Sequence, residues 1–406
     1  MGFLRSAKPA ALMLAAATAA ALLTGCNADQ GAPNASDGAS ESSSTTPTPS
    51  TTPSDPVAIS ANVKKGERDV PVDRLVDVRA TAGRLEDVTL TGGTTTVKGT
   101  LASDGASWKA DGRLEPGTLY TMAATARGAQ GGTTERRLRF RTSDLSLAQQ
   151  TYPSVAPLDG ETVGVGMPVI VTFDLPVTDK KAFERHMHVI SQPTQKGSWH
   201  WLSDKEAHWR PASYWQAGTD VTVDIGINSV PAGNGVYGQE DREVSFHVGD
   251  SHVYRVNTQT DQMKVWVNKQ MVRTIPITTG KAGFTTRSGT KVIVEKFATK
   301  RMRSETIGIG KNNPEYYDLS DVQWAMRLTY SGEFIHAAPW SVGSQGYANV
   351  SHGCTGMSTA NAKWLYDLSR RGDVVEYTGT NRPMEFSNGY GDWNEPFAQY
   401  TAGSAL

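Results

Sequence analysis

The sequence predicts a mainly β protein: two immunoglobulin-like β-sandwiches followed by a β-rich domain with one main helix. Three observations predict it. Short runs of Val, Thr, Ile, Leu and Phe alternate with polar residues, and Gly, Pro, Asn and Asp break them repeatedly. One clear stretch, after Ser358, carries apolar residues at helical spacing. The chain has 406 residues, too many for one core, and its composition shifts along its length.

Residues 1–25 read as an export leader. Arg5 and Lys8 precede an apolar run from Pro9 to Leu23, shorter than the ~20 residues a bilayer span needs. The run ends Leu22-Leu23-Thr24-Gly25-Cys26, similar to a bacterial lipobox. That similarity implies cleavage before Cys26 and lipidation of its sulfur, each buried methylene contributing ~0.8 kcal/mol of membrane binding. The expected location is extracytoplasmic, on the cell-wall side of the membrane, with membrane contact through the anchor at Cys26. Met1-Gly2 with Ser6 also fits a myristoylation pattern, but the apolar run behind it makes that a chance match. Residues 26–56 are rich in Ser, Thr and Pro and cannot bury a core. They read as a disordered tether spanning ~30 Å.

The first sandwich is expected over 57–144. Asp87-Val88-Thr89-Leu90-Thr91 ends at Gly92-Gly93, and Arg137-Leu138-Arg139-Phe140-Arg141 alternates as a half-buried strand does. After a short join, the second is expected over 150–249, with strands at Val169–Phe173, Ser198–Trp201, Val221–Ile225 and Val244–Val248. His186, His188 and His200 in this module raise the question of a metal, but no carboxylate or cysteine completes a tight ligand spacing, and no metal is expected. Trp199, Trp201, Trp209 and Trp215 suit a core or an inter-domain contact better than a sugar platform.

The third domain is expected over 251–378. Lys291 to Glu295 reads as one strand, and Trp324–Tyr330 with Glu333–His336 as a hairpin around Ser331-Gly332. Ser358 is the expected N-cap of the helix, and Gly372 its C-terminal stop. Residues 379–406 keep Trp393, Phe397 and Tyr400 and read as a docking tail.

Net charge is −1, with no clustered basic excess, so nucleic acid is not an expected partner. The chemistry concentrates at His336 and at Ser351-His352-Gly353-Cys354. A thiol attacks as thiolate, which a neighbouring imidazolium or a cluster of amides favours. Backbone N–H groups at Gly353 and Cys354 suit a developing oxyanion. Two cysteines, Cys26 and Cys354, permit one disulfide, yet each has a better explanation of its own.

His336 followed by Ser351-His352-Gly353-Cys354 resembles the signature of the YkuD-type L,D-transpeptidases. The likeness extends through Ala338-Pro339-Trp340-Ser341-Val342-Gly343 and the helix beginning near Asn361. Gly391-Asp392-Trp393-Asn394 is similar to the actinobacterial lipoprotein branch with two immunoglobulin-like domains. The resemblance implies a peptidoglycan enzyme of cell-wall synthesis and cell shape. It makes 251–378 an L,D-transpeptidase catalytic domain and stem peptides both donor and acceptor. Cys354 would form an acyl-thioester, releasing D-Ala and giving 3→3 cross-links. His336 would be the base, held by the carbonyl of Ala337. Gly353 and Cys354 amides would form the oxyanion hole beside His352. Ser351, Trp340, Asn349 and Tyr317 would shape the substrate pocket.

The family further implies that carbapenems acylate Cys354. No cofactor is expected. Two departures stand out: Thr355-Gly356 where the family usually has Asn two places after the cysteine, and a lid over 288–322 with Ile307 where a tyrosine is usual. The same thioester serves an L,D-carboxypeptidase using water, and Gly356 keeps open a non-catalytic wall-binding lipoprotein. If His336 ionises the thiol at rest, Cys354 should alkylate faster than an ordinary cysteine.

Overall fold

The computed structural model describes residues 56–406. The leader over 1–25, the lipidation site at Cys26 and the tether, apart from Pro56, lie outside the described residues.

The first module packs two four-stranded sheets. One orders Ala58–Ala61, Asp77–Thr81, Ser107–Ala110 and Gly99–Leu101; the other Thr95–Val97, Gly83–Gly92, Leu119–Gly128 and Thr133–Arg141. Alternation decides the faces. In the last strand Leu138 and Phe140 are buried while Arg137, Arg139 and Arg141 are exposed. Trp108, Leu90, Leu114 and Tyr120 fill the space between the sheets.

The second module repeats the plan. Pro153–Ala156, Val169–Phe173, Glu206–Pro211 and Gly197–Trp201 face Thr162–Val163, Arg242–Val248, Asp220–Ile225 and Met187–Gln192. All four tryptophans are buried in its core. Buried indoles need acceptors. Trp199 donates to the Met187 carbonyl at 3.0 Å, Trp201 to Glu184 at 2.9 Å and Trp215 to the Met167 carbonyl at 2.8 Å. The histidines go separate ways: His186 lies 3.0 Å from Arg113 of the first module, His188 is exposed, and His200 bonds the Tyr400 carbonyl at 2.9 Å.

The third domain joins two sheets. The five-stranded sheet orders Gln270–Pro276, Gln262–Val267, His252–Asn257, Val374–Thr378 and Gly289–Val292. The four-stranded sheet orders Glu295–Arg303, Asp318–Arg327, Phe334–Ala337 and Thr355–Met357. The Lys291–Glu295 run is therefore not one strand. Ile293 and Val294, both buried, carry the chain from one sheet to the other. The helix spans Thr359–Leu368, with Ser358 Oγ accepting the Asn361 N–H at 3.3 Å and Ala362 and Leu365 buried.

Gly372 does not stop this helix. Ser369 does, its N–H and hydroxyl both donating to the Leu365 carbonyl at 2.9 and 2.6 Å. Gly372 instead forms the seam to the second module. Its φ is +94°, its carbonyl accepts the Gly166 N–H at 2.8 Å, and a Cβ there would lie 2.7 Å from Met167 Cβ. Beside it Arg371 makes a two-pronged pair with Glu161 at 2.8 and 2.6 Å.

The last segment lies across the second sandwich. Arg210 is buried, its guanidinium over Tyr400 at 4.3 Å, Trp393 at 4.7 Å and Phe397 at 5.4 Å. His208, 2 % exposed, bonds Asp392 and Glu206 at 2.9 Å each, and Asp392 is 1 % exposed. Burial opposes the charge on His208, but the two carboxylates overcome it and raise its pKa to about 9. Burial likewise opposes the charge on Asp392, and His208 overcomes it to hold the carboxyl below its ordinary value.

Two outcomes follow. The raised pKa of His208 makes its contribution complete below about pH 6.5, and it is lost as pH rises through about 9. A wild-type melting temperature that falls over that interval, with a flatter profile in His208→Gln, is expected; parallel profiles would refute the linkage. Gly372→Ala should destabilise by about 1–3 kcal/mol in denaturant unfolding, from backbone strain and the Met167 contact.

Candidate active site

The site is built where two short strands run side by side. Phe334–Ala337 and Thr355–Met357 pair in parallel, with Ile335 opposite Thr355 and His336 opposite Gly356. Cys354 immediately precedes the second strand, so this register delivers the thiol and the imidazole to one end of the sheet. Both border a cavity of about 320 Å³, together with Met302, Tyr317, Leu319, Trp340, Val350, Ser351 and His352. A second cavity of about 400 Å³ also borders Cys354; it shares Met302 and Tyr317 with the first and is otherwise lined by Arg303, Ile307, Arg327, Tyr330 and Gly332 among others.

His336 is buried, and its Nδ1 lies 2.8 Å from the Ala337 carbonyl. A carbonyl only accepts, so Nδ1 carries the proton and Nε2 keeps its lone pair. Burial holds the ring's pKa below its ordinary value, against the pull of that carbonyl. The Trp340 ring stacks beside it, centroids 5.9 Å apart.

The turn carrying Cys354 is tied by one hydroxyl. Ser351 Oγ donates to the Cys354 carbonyl at 2.6 Å and accepts the Gly353 N–H at 3.1 Å. The Cys354 N–H is the member of the expected oxyanion pair that this hydroxyl does not occupy. Gly353 has φ +119°, a conformation that glycine alone adopts readily, and its carbonyl accepts from Thr286 Oγ1 at 2.8 Å. Gly356 answers a steric demand. It exchanges backbone hydrogen bonds with Thr278 at 2.9 Å, and a Cβ there would lie 2.9 Å from Ala338 Cβ.

Cys354 carries a free thiol. Its Sγ–H donates to the Gly332 carbonyl at 3.6 Å, not to His336. Burial pushes the thiol up to about 12, with the Phe334 N–H pulling the other way. Burial thus favours the neutral form of both groups at rest. The expected pairing with His336 is not made at rest, since the Sγ–H is directed to Gly332.

Around the nucleophile, Tyr317 lies 5.1 Å from the His352 ring, and burial together with nearby Cys354 raises its hydroxyl to about 12. His352 Nε2 lies 2.8 Å from Glu315, which also pairs with Lys281 at 2.6 Å. Those two neighbours hold the Glu315 carboxyl below its ordinary range. Glu315 thus pins the lid beside the cavity. That lid is narrower than 288–322, because strands Gly289–Val292, Glu295–Arg303 and Asp318–Arg327 take up both sides of the span, leaving 304–317 as the tip.

Ala337 and Asn349 stand apart from the cavity walls. Ala337 is buried and contributes its carbonyl. Asn349 clips its loop, accepting the Thr279 N–H at 2.6 Å and donating to the Thr258 carbonyl at 2.7 Å. The sequence reading missed Met302, Leu319 and Val350 as walls and Glu315 as the partner of His352. Met302 and Leu319 lie on paired strands, where they are register partners.

Comparison with known proteins places this geometry. The L,D-transpeptidase catalytic domain model matches residues 251–376, and the Bacterial Ig domain model residues 67–231. L,D-transpeptidase 2 of Mycobacterium tuberculosis is 38 % identical over 349 residues, 86 % of this chain and 85 % of that protein. L,D-transpeptidase 1 of the same species is 37 % identical over 226 residues, 56 % of this chain and 84 % of that one. A solved LD transpeptidase in complex with imipenem is 37 % identical, covering 55 % of this chain and 97 % of its own, with a TM-score of 0.49.

The neutral resting pair has a direct readout. Without substrate, Cys354 should react with iodoacetamide more slowly at about pH 7 than an unstructured cysteine of pKa ~8.5. Rapid labelling with a midpoint below about 8 would contradict a thiol held neutral at rest.

Proposed function

We propose, from the premise that this chain belongs to the L,D-transpeptidases, that Cys354 is the nucleophile of a two-step acyl transfer between peptidoglycan stem peptides. The observation that carries this reading is the position of Cys354 between two cavities, one of them holding His336. Two adjoining cavities at one sulfur leave room for a donor and an acceptor.

The donor is a tetrapeptide stem. As it enters and excludes water, His336 Nε2 takes the Sγ proton and the sulfur bonds to the carbonyl carbon of the third residue. The negative oxygen that develops is met by the Cys354 N–H, with Gly353 freed as Ser351 turns. The C–N bond to D-Ala then breaks, and the leaving amine takes the proton from His336. The thioester remains. An amine of a second stem attacks it, loses a proton to His336, and displaces the sulfur, giving a 3→3 cross-link and the free thiol. Ser351, Trp340 and Tyr317 border the donor's path, and His352, fixed by Glu315, stands beside the turn.

Carbapenems present a strained carbonyl to the same sulfur, and we include acylation of Cys354 by that class in the proposal. The lipoprotein assignment belongs here too. Leu23-Thr24-Gly25-Cys26 supports lipidation at Cys26 and residence on the outer face of the cell membrane, with 26–56 as tether to the wall.

Purified protein incubated with disaccharide tetrapeptide should yield cross-linked dimer by mass spectrometry, absent in Cys354→Ala. His336→Ala should lower the rate by about 10²–10⁴-fold. Tripeptide without dimer would select hydrolysis instead, and no acyl adduct from either tetrapeptide or a carbapenem would sink the reading. In cells, Cys26→Ser should move the protein from the membrane fraction to the soluble one; an unchanged distribution would remove the anchor.

A further inference from the structure

A buried ion pair lies directly behind the nucleophile, and no step above uses it. Lys291, on the Gly289–Val292 strand, has none of its surface exposed. Its ammonium pairs with Glu333 and sits 3.7 Å over the Tyr377 ring. Glu333 also accepts from Arg287, at 3.0 Å from Nη1 and 3.1 Å from the backbone N–H. Arg287 continues to Glu385 at 2.8 Å. Stability gives no account of this arrangement, since apolar residues of similar volume commonly serve as well or better.

What the pair touches does give one. Glu333 lies between Gly332, whose carbonyl accepts the Sγ–H, and Phe334, whose N–H faces the sulfur. Its side chain passes beneath the nucleophile turn: a Cβ at Gly353 would lie 3.8 Å from Glu333 Cγ. Tyr377, under the Lys291 ammonium, bonds Thr355 at 2.7 Å, the residue after Cys354. The pair therefore braces both segments that hold the sulfur.

We propose that Lys291 and Glu333 are positioning residues for Cys354. Glu333 fixes the Gly332–Phe334 segment against the sulfur, and the Lys291 ammonium offsets that carboxylate and stabilises the thiolate when His336 takes the proton. This rests on Cys354 being the nucleophile. The other titratable groups facing the sulfur are His336, His352 and Tyr317 across the cavity and Tyr377 beneath, with Arg287 beyond Glu333.

The test uses the pH at which Lys291 loses its charge. Burial lowers its pKa to about 8 against the opposing pull of Glu333. The ammonium is present at about pH 7 and gone above about pH 9. Iodoacetamide should therefore alkylate Cys354 of the wild-type protein about tenfold faster than Lys291→Met at about pH 7, and the two rates should converge above about pH 9. A ratio that stays constant with pH would mean bracing without charge and would overturn the proposal.

Where Lys291→Met does not fold, Lys291→Met/Glu333→Leu removes both charges together. Its logarithmic rate should climb evenly through about pH 8, where the wild type flattens. Flattening that persists in the double variant would equally overturn it. Alkylation requires only the thiol, so absence of cross-linking beside a pH-dependent ratio would count against the proposed reaction and leave the pair standing.

Discussion

The parallel pairing of Phe334–Ala337 with Thr355–Met357 is the constraint on which the site depends. A parallel pair cannot close through a tight turn, so the chain must leave one strand, travel, and return alongside it. The connection here carries Trp340, Asn349, Ser351 and His352. The register then fixes the rest. It sets His336 opposite Gly356 and leaves Cys354 just off the end of the ladder, where its amide and sulfur are free of strand bonding. Two neighbours, Ala338 and Thr278, crowd this edge closely enough that position 356 has no room for a side chain without displacement of Ala338.

Electrostatics follow from that enclosure. A sulfur set among packed strands is driven towards its neutral form, and so is the imidazole beside it. The resting state keeps a partly shielded thiol, which is less open to oxidation than an exposed thiolate. In the proposed reaction, ionisation is deferred to the bound state, once substrate has excluded water and His336 takes the proton.

Much of this was legible in the sequence where local chemistry and periodicity agreed. Ser358 caps a helix because its hydroxyl meets the amide three residues on. Leu138 and Phe140 face inward because strands alternate. Gly353 marked a turn because its conformation excludes other residues. What escaped reading were features joined by distance in the chain or contrary to pattern. The Glu295–Arg303 strand is mostly exposed and charged, so it lacks the alternation that marks a half-buried strand. Lys291 and Glu333 are charged residues in a core, each looking misplaced until the other is seen 42 positions away. Gly372 looked like a helix stop, yet its conformation serves a contact with Gly164 and Gly166 that no local window contains.

The docking of the last segment on the second sandwich bears on how the chain is made. His208 and Arg210 are placed early, but the groups that neutralise and cover them, Asp392, Trp393, Phe397 and Tyr400, lie some 180 residues downstream. Domains emerging from a ribosome or an export channel usually settle in order of appearance. Here the second module emerges with a cation and an imidazole uncovered on one face, and that face closes only after the entire catalytic domain has passed. Maturation of the middle of this protein thus awaits its far end, so a chain interrupted within the catalytic domain leaves the preceding sandwich unfinished as well.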